Sequence, residues 1–298
     1  MFTRLLVPLD GSRMAETALP IVERLAAIDN ASVILLHVIE RGAPATVHGD
    51  RHLTAVDEAN AYLETIAASL RAKGIPVSAH THEVPQGNVA RSIADHADEK
   101  TADLIVLCTH GHSRMKEIVY GSIAQQVMRC GTTPVLLTRP AEDGPSPPFS
   151  PRTVLVPLDA TAAAEAALAP AQYLARALHA CMHLVMVVSP QDRERRPAAT
   201  LLPRTSQAIL DLEEHDAAEY LERLAATMRT LDLPVTTEVR RGAAASMLAD
   251  EAGEPGVGLV VVATHGRSGL QAIWAGSVSV GLLARTHAPV LLMRRIEP

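Results

Sequence analysis

"RLLVPLDGSRMAETAL", residues 4–19, returns as "TVLVPLDATAAAEAAL" at residues 153–168. Each copy has a short aliphatic run, a Pro-Leu-Asp segment and an alanine-rich stretch of helical period, which predicts a strand, a loop and a helix. A second pair follows in the same order, because "ADLIVLCTHG" at 102–111 returns as "VGLVVVATHG" at 257–266. A repeat of this size predicts two copies of one domain-sized unit.

Each copy alternates short Val/Leu runs with longer Ala-, Leu- and Glu-rich stretches. In the first copy the predicted strands are 4–8, 32–38, 76–83, 103–108 and 134–138, and the predicted helices are 13–28, 53–73, 87–98 and 119–130. In the second copy the predicted strands are 153–158, 181–188, 235–240, 258–263 and 289–293, and the predicted helices are 161–179, 206–230, 243–252 and 275–286. This order predicts an α/β fold of two tandem Rossmann-like domains, each a five-stranded parallel sheet with helices on both faces.

A stretch rich in Pro and Ser, "PAEDGPSPPFSPR" at residues 140–152, separates the two copies and has the composition of a linker. The chain has 298 residues, which is the length of two ordinary domains. We therefore expect one domain at residues 1–140, a linker at 141–152 and a second domain at 153–298.

The composition excludes several classes of partner. Aromatic residues make up 2% of the chain and the formal net charge is −6, with no basic stripe, so we expect no nucleic-acid partner. No apolar run approaches 18 residues, and the first residues do not form a signal peptide, so we expect no membrane partner. The three cysteines, Cys108, Cys130 and Cys181, have no CxxC spacing, which indicates reduced thiols in a cytoplasmic protein.

The loops after the first and fourth strands carry the candidate site, since ligands of such sheets bind beyond the carboxyl ends of the strands. Asp10 and Asp159 follow the first strand of each copy, and a carboxylate there can accept hydrogen bonds from a ribose hydroxyl pair. Glycines after the fourth strand and at the start of the next helix predict anion binding by backbone N–H groups. The alternative is purely structural, because Asp commonly forms turns and Gly-Ser commonly begins a helix.

At these residues the chain resembles the universal stress protein family in its tandem two-domain form. The family's ATP-binding pattern is Gly, two residues, Gly, nine residues, then Gly followed by Ser or Thr. The later two glycines and the serine are present in both copies: Gly111, Gly121 and Ser122, then Gly266, Gly276 and Ser277. The first glycine is replaced by Cys108 in one copy and by Ala263 in the other.

The resemblance implies an adenine nucleotide alpha hydrolase-like fold with one ATP site per domain and Mg²⁺ carried by the nucleotide. It assigns ribose contact to Asp10 and Asp159 and backbone recognition of adenine to Val38 and Val187. The implied nucleotide-binding set is Pro8, Leu9, Asp10, Val38, Cys108, Thr109, His110, Gly111, Gly121, Ser122 and Ile123 in the first copy, and Pro157, Leu158, Asp159, Val187, Ala263, Thr264, His265, Gly266, Gly276, Ser277 and Val278 in the second. Among the intervening charges, Arg114, Lys116 and Arg267 are candidates for phosphate contact, with a solvated position the favoured interpretation.

The resemblance also implies a cytosolic stress-response regulatory protein that hydrolyses ATP slowly at most, and it assigns no catalytic residue. The chain has no Walker lysine and no nucleophile elbow. His110 and His265 are candidates for hydrolysis, although loop packing is the favoured role. Two alternatives stay open: an interaction scaffold that binds no nucleotide, which the substitutions Cys108 and Ala263 favour, and a binder of AMP or cyclic AMP.

Family dimers pair through the fifth strand. The resemblance therefore implies that strands 134–139 and 289–294 pair inside one chain as a pseudo-dimer, and it leaves a further homodimer open.

Histidine pairs offer the only metal-like spacing. His80 and His82 alternate along a predicted strand, and Thr237 and Val239 stand in their places when the two copies are aligned. His110 and His112 fall on a loop, and neither pair has third and fourth ligands at zinc spacing. We therefore expect no metal site formed by side chains.

Overall fold

The computed structural model describes residues 1–43, 46–47, 50–109, 122–140, 148–188, 203–265 and 286–295. The chain divides into two compact units, Met1–Phe149 and Ser150–Pro298, which are called the first unit and the second unit below. The linker boundaries at 141 and 152 stay a prediction. In the described part of the chain no helix combines the length and the apolar character needed to cross a bilayer.

The first unit follows the predicted alternation of strands and helices. Its strands are Arg4–Pro8 (β1), Ser32–Glu40 (β2), Thr46–Val47 (β3), Asp50–Arg51 (β4), Val77–Val84 (β5), Leu104–Cys108 (β6) and Val135–Thr138 (β7). Its helices are Arg13–Glu16 (α1), Leu19–Asp29 (α2), Val56–Ala72 (α3), Val89–Glu99 (α4) and Ser122–Cys130 (α5). The sheet runs β7-β6-β1-β2-β5 with every pair parallel, and β3 and β4 form a separate antiparallel hairpin.

The second unit repeats this arrangement. Its strands are Thr153–Leu158 (β8), Cys181–Val188 (β9), Val235–Arg241 (β10), Val257–His265 (β11) and Val290–Arg295 (β12). Its described helices are Ala162–Glu165 (α6), Leu168–Leu178 (α7), Pro203–Arg229 (α8) and Ala244–Ala252 (α9). The sheet runs β10-β9-β8-β11-β12, again all parallel. The predicted fold class is therefore confirmed.

The central strands are aliphatic because helices cover both of their faces. Leu104, Ile105 and Val106 of β6 are at most 1% exposed, and so are Leu259, Val260 and Val261 of β11. A strand whose neighbouring side chains are all buried loses the alternation of polar and apolar residues. This is why the runs "LIVLC" and "LVVVA" could be recognised as strands from their letters alone.

The predicted helices 13–28 and 161–179 are each divided in two. A one-turn helix ends at Glu16 or Glu165, and a longer helix begins three residues later. Pro20 lies at the start of α2, and Pro170 lies in the first turn of α7. Proline has no N–H to donate and clashes with the preceding turn, so a helix begins at proline more readily than it continues through it.

Candidate functional site

The edge of the sheet at which a ligand is predicted to bind is the one where the strand order reverses in each unit. In the first unit the chain moves from β1 outward to β2, then returns to β6 on the other side of β1. In the second unit β8 lies between β9 and β11 in the same way. The strands β1 and β6, and likewise β8 and β11, therefore end side by side at one edge of the sheet, the place where ligands of such sheets bind.

The loop after β1 is held by Asp10. Its Oδ1 accepts hydrogen bonds from the Ser12 backbone N–H at 2.9 Å and the Ser12 hydroxyl at 2.6 Å. Ser12 is the N-cap of α1, and its Oγ accepts from the Ala15 N–H at 3.2 Å. The Asp10 carboxylate thus forms a turn, which is the structural role expected of an Asp in such a loop. These hydrogen bonds hold the carboxylate at the edge of the sheet.

The second unit builds the same turn with different residues. Asp159 Oδ1 accepts from the Thr161 N–H at 3.0 Å and the Thr161 hydroxyl at 2.6 Å, and Thr161 caps α6. The residue between them is Gly11 at φ +86° in the first unit and Ala160 at φ +60° in the second. Both copies therefore require a left-handed residue after the aspartate, although only one supplies glycine.

Cys108, the last residue of β6, and Thr109, which follows it, both contact neighbouring parts of the first unit. Thr109 is 1% exposed, and its N–H and hydroxyl both donate to the Thr138 carbonyl, at 2.8 and 3.1 Å. The Cys108 Sγ lies 3.2 Å from the Thr17 hydroxyl at the end of α1. Burial raises the pKa of the Cys108 thiol to about 11, and the nearby Asp10 charge acts in the same direction.

Cys108 is expected to resist alkylation at neutral pH, because the thiolate is the reactive form. With a pKa of about 11, roughly 0.1% of this thiol is ionised at pH 8, and that fraction rises about tenfold per pH unit. The exposed Cys130 serves as the internal control. Iodoacetamide labelling of the native chain, read by peptide mass spectrometry from pH 7 to 10, should modify Cys130 first. Equal labelling of both thiols at pH 7 would contradict the buried environment of Cys108.

A buried histidine connects the end of β1 and its following loop to the segment before α3. His37 is 0% exposed, with Nδ1 2.8 Å from the Leu9 carbonyl and Nε2 3.0 Å from the Leu53 carbonyl. Both partners accept, so a neutral ring donates to only one of them and a protonated ring donates to both. In the second unit Met186 occupies this register beside Leu158, and its thioether has no N–H to donate.

A glutamate and a tyrosine lie near the aspartate of each unit, and neither belongs to a motif that predicted the site. Tyr220 of α8 donates from its hydroxyl to Glu165 Oε1 at 2.9 Å. Burial, that bond and the Glu165 and Asp159 charges raise the pKa of Tyr220. Burial and the charges of Glu16 and Asp10 raise the pKa of the matching tyrosine, Tyr62 of α3. "AYLETIAASLRAKGIPV" at 61–77 and "EYLERLAATMRTLDLPV" at 219–235 are a further repeat that would have revealed the pair.

Some of the other predicted nucleotide-binding residues lie in the described part of the chain, and the rest lie outside it. The first residues of α5 are Ser122 and Ile123, while Thr264 and His265 end β11 after the half-buried Ala263. Leu9 and Leu158 are buried, and Pro8, Pro157, Val38 and Val187 are partly buried at the strand ends. The positions outside the described residues are His110, Gly111, His112, Arg114, Lys116, Gly121, Gly266, Arg267, Gly276, Ser277 and Val278.

The model of the universal stress protein family matches the chain twice, at residues 1–139 and 151–294. A universal stress protein of Mycolicibacterium smegmatis is 25% identical over 299 residues, covering 97% of this chain and 96% of the relative. The universal stress protein YxiE of Bacillus subtilis is 30% identical over 151 residues, covering 47% of this chain and all of the relative. The sequence similarity thus extends to both tandem and single-domain relatives.

The fold is similar to solved structures across nearly the whole chain. A universal stress protein from Archaeoglobus fulgidus aligns with a TM-score of 0.69 and 18% identity, covering 98% of this chain and 96% of that one. The cytoplasmic domain of a prokaryotic cation chloride cotransporter aligns with a TM-score of 0.56 and 14% identity, covering 98% and 95%. The second likeness shows that this fold alone does not define a function. The double match of the family model does define the family, and the chain belongs to the universal stress protein family.

Proposed function

We propose that the protein binds ATP at one site in each unit and acts as a cytosolic stress-response regulator. The observation that carries this proposal is the position of Asp10 and Asp159 beside the point of strand reversal, at the carboxyl edge of each sheet. Both copies hold their carboxylate there through the same turn. A duplicated arrangement of this kind favours a duplicated ligand.

In this proposal the aspartates contact the ribose hydroxyls, and the backbone at Val38 and Val187 recognises adenine. The glycines and serines of the Gly-rich pattern hold the phosphates at the amino terminus of the following helix, whose free N–H groups attract anions. Mg²⁺ is carried by the nucleotide phosphates and water. Hydrolysis is slow or absent, because loop packing is the favoured role of His110 and His265, the two candidates for activating water.

The identity of the bound nucleotide and the number of sites per chain test this function directly. Mass spectrometry of denatured, freshly purified protein should release ATP, and titration of the stripped chain with Mg-ATP should give two sites per chain. Release of AMP or cyclic AMP instead would show that the sites bind another adenine nucleotide. Absence of both co-purified nucleotide and measurable binding would overturn the proposal and leave the interaction scaffold.

A further inference from the structure

The second unit contains a His–Glu–Glu cluster at the end of the sheet opposite the loop that holds Asp159. His183 lies near the start of β9, Glu238 lies on β10, and Glu251 lies near the end of α9. A cavity of about 340 Å³ adjoins these side chains, and the first residues of β8 and β11 also line it. The cluster therefore lies toward the amino ends of the strands, whereas Asp159 follows a carboxyl end.

The three side chains converge on one point. His183 Nε2 is 3.0 Å from Glu251 Oε1 and 3.7 Å from Glu238 Oε2, and one ligand atom from each residue lies within 4.8 Å of the other two. A tetrahedral ion with bonds of about 2.0–2.2 Å holds its ligands roughly 3.4 Å apart. The separations of 3.0 and 3.7 Å from His183 Nε2 lie on either side of that value.

Each candidate ligand is oriented by a neighbouring group. His183 Nδ1 lies 2.8 Å from the Thr236 hydroxyl, which leaves Nε2 directed at the carboxylates. Arg240 contacts the outer oxygens, with NH1 3.0 Å from Glu238 Oε1 and NH2 3.4 Å from Glu251 Oε2. Metal-binding histidines and carboxylates in proteins are typically held by such outer partners.

The net charge of the cluster favours a bound cation. Glu251 is only 6% exposed, and two carboxylates against the one Arg240 guanidinium leave a negative charge when His183 is neutral. An unbalanced buried carboxylate is unfavourable unless a positive group compensates it. Either a proton on His183 or a metal ion between the three ligands meets this requirement, and the convergence of three ligand atoms beside a cavity favours the ion.

The first unit does not carry this ligand set. The strand register pairs Leu36 with His80 in the first unit and Val185 with Glu238 in the second. His80 is thus the counterpart of Glu238, and not of Thr237 as the sequence alignment suggested. His183 corresponds to Ile34 in the first unit. His183 pairs with Thr236 of β10, and Ile34 pairs in the same way with Ser78 of β5.

We propose that His183, Glu238 and Glu251 bind one divalent first-row transition-metal ion per chain, with Zn²⁺ the best match. Imidazole and carboxylate ligands in a four-coordinate arrangement suit Zn²⁺, whereas Mg²⁺ and Ca²⁺ favour oxygen ligands only. Water from the adjoining cavity completes the coordination. The site is independent of nucleotide binding and goes beyond the proposed function.

The test uses the full, nucleotide-free chain after chelator treatment. Titration calorimetry with Zn²⁺ should give one site, and bound Co²⁺ should give a visible absorption spectrum. His183→Ala and Glu251→Gln should each weaken Zn²⁺ binding about 100-fold or more, and Thr236→Val should weaken it about tenfold. His215→Ala, on the exposed face of α8, is the matched control and should leave affinity unchanged.

Thermal unfolding gives a second readout. Saturating Zn²⁺ should raise the Tm of the wild-type chain and of His215→Ala, but not that of His183→Ala, while circular dichroism checks that each variant is folded. A wild-type chain that takes up no Zn²⁺ and no Co²⁺ would overturn the site. Zn²⁺ affinity equal in the wild-type and His183→Ala chains would also overturn it.

Discussion

Asp10→Asn should weaken ATP binding at the site of the first unit, and the Asp10→Asn/Asp159→Asn double variant should weaken binding at both sites. Loss of a hydrogen bond to a charged acceptor is worth about 1.5–3 kcal/mol, which corresponds to roughly 10- to 100-fold in affinity. The amide also places an N–H₂ donor where the carboxylate presents an acceptor to the ribose. Titration calorimetry with Mg-ATP measures the number of sites and the affinity of each.

The asparagine variants separate binding from folding. Asparagine keeps an Oδ1 acceptor for the Ser12 N–H and hydroxyl, so the turn before α1 remains. Asp10→Ala removes the turn and the charge together, and it should lower both Tm and affinity. If Asp10→Asn still binds two nucleotides with wild-type affinity, the ribose role of Asp10 is wrong, whatever the identity of the nucleotide.

Gly11→Val should destabilise the first unit by about 3 kcal/mol. Gly11 has φ +86°, and a left-handed conformation costs an L-residue about 1–2 kcal/mol. A Cβ there would lie 2.8 Å from Leu53 Cγ and Cδ1, and forcing atoms into a packed contact costs about 1–3 kcal/mol more. Urea unfolding measures the loss, and hydrogen exchange of peptides from residues 4–40 assigns it to the first unit.

The second unit provides the matched control. Ala160 already holds the corresponding position at φ +60°, so Ala160→Gly should change the free energy of unfolding by less than about 1 kcal/mol. Displacement of Leu53 in Gly11→Val should also loosen the segment that His37 holds, and exchange should increase at residues 51–55. Wild-type urea midpoint and exchange in Gly11→Val would show that the loop does not have this close contact.

The fold was largely predictable because its signals are local. Strands such as β6 and β8 are continuous aliphatic runs, and the repeat located the same elements in the second unit. The division of the first helix in each unit was missed because helical periodicity outweighed Pro20 and Pro170 in the prediction. The β3–β4 hairpin was missed because strands of two residues carry no periodic pattern.

The loops of the candidate site could be grouped from the sequence, but the side-chain contacts within them could not be predicted. Parallel strands end at one edge, so the loops after β1 and β6 could be grouped from the sequence alone. The bond from Asp10 to Ser12 and the contact of Cys108 with Thr17 depend on side-chain rotamers and on how α1 packs. The Glu165–Tyr220 pair joins residues 55 positions apart, and only the AYLE/EYLE repeat gave a trace of it.

The sequence by itself determined the duplicated α/β architecture and the edge at which a ligand is expected, because hydrophobic period and loop chemistry are properties of neighbouring residues. Only the tertiary structure decided that His183 and Glu251, 68 positions apart, meet beside Glu238. No spacing rule encodes that meeting. It follows from the parallel register of β9 with β10 and from the return of α9 across them, which bring three isolated residues to one point.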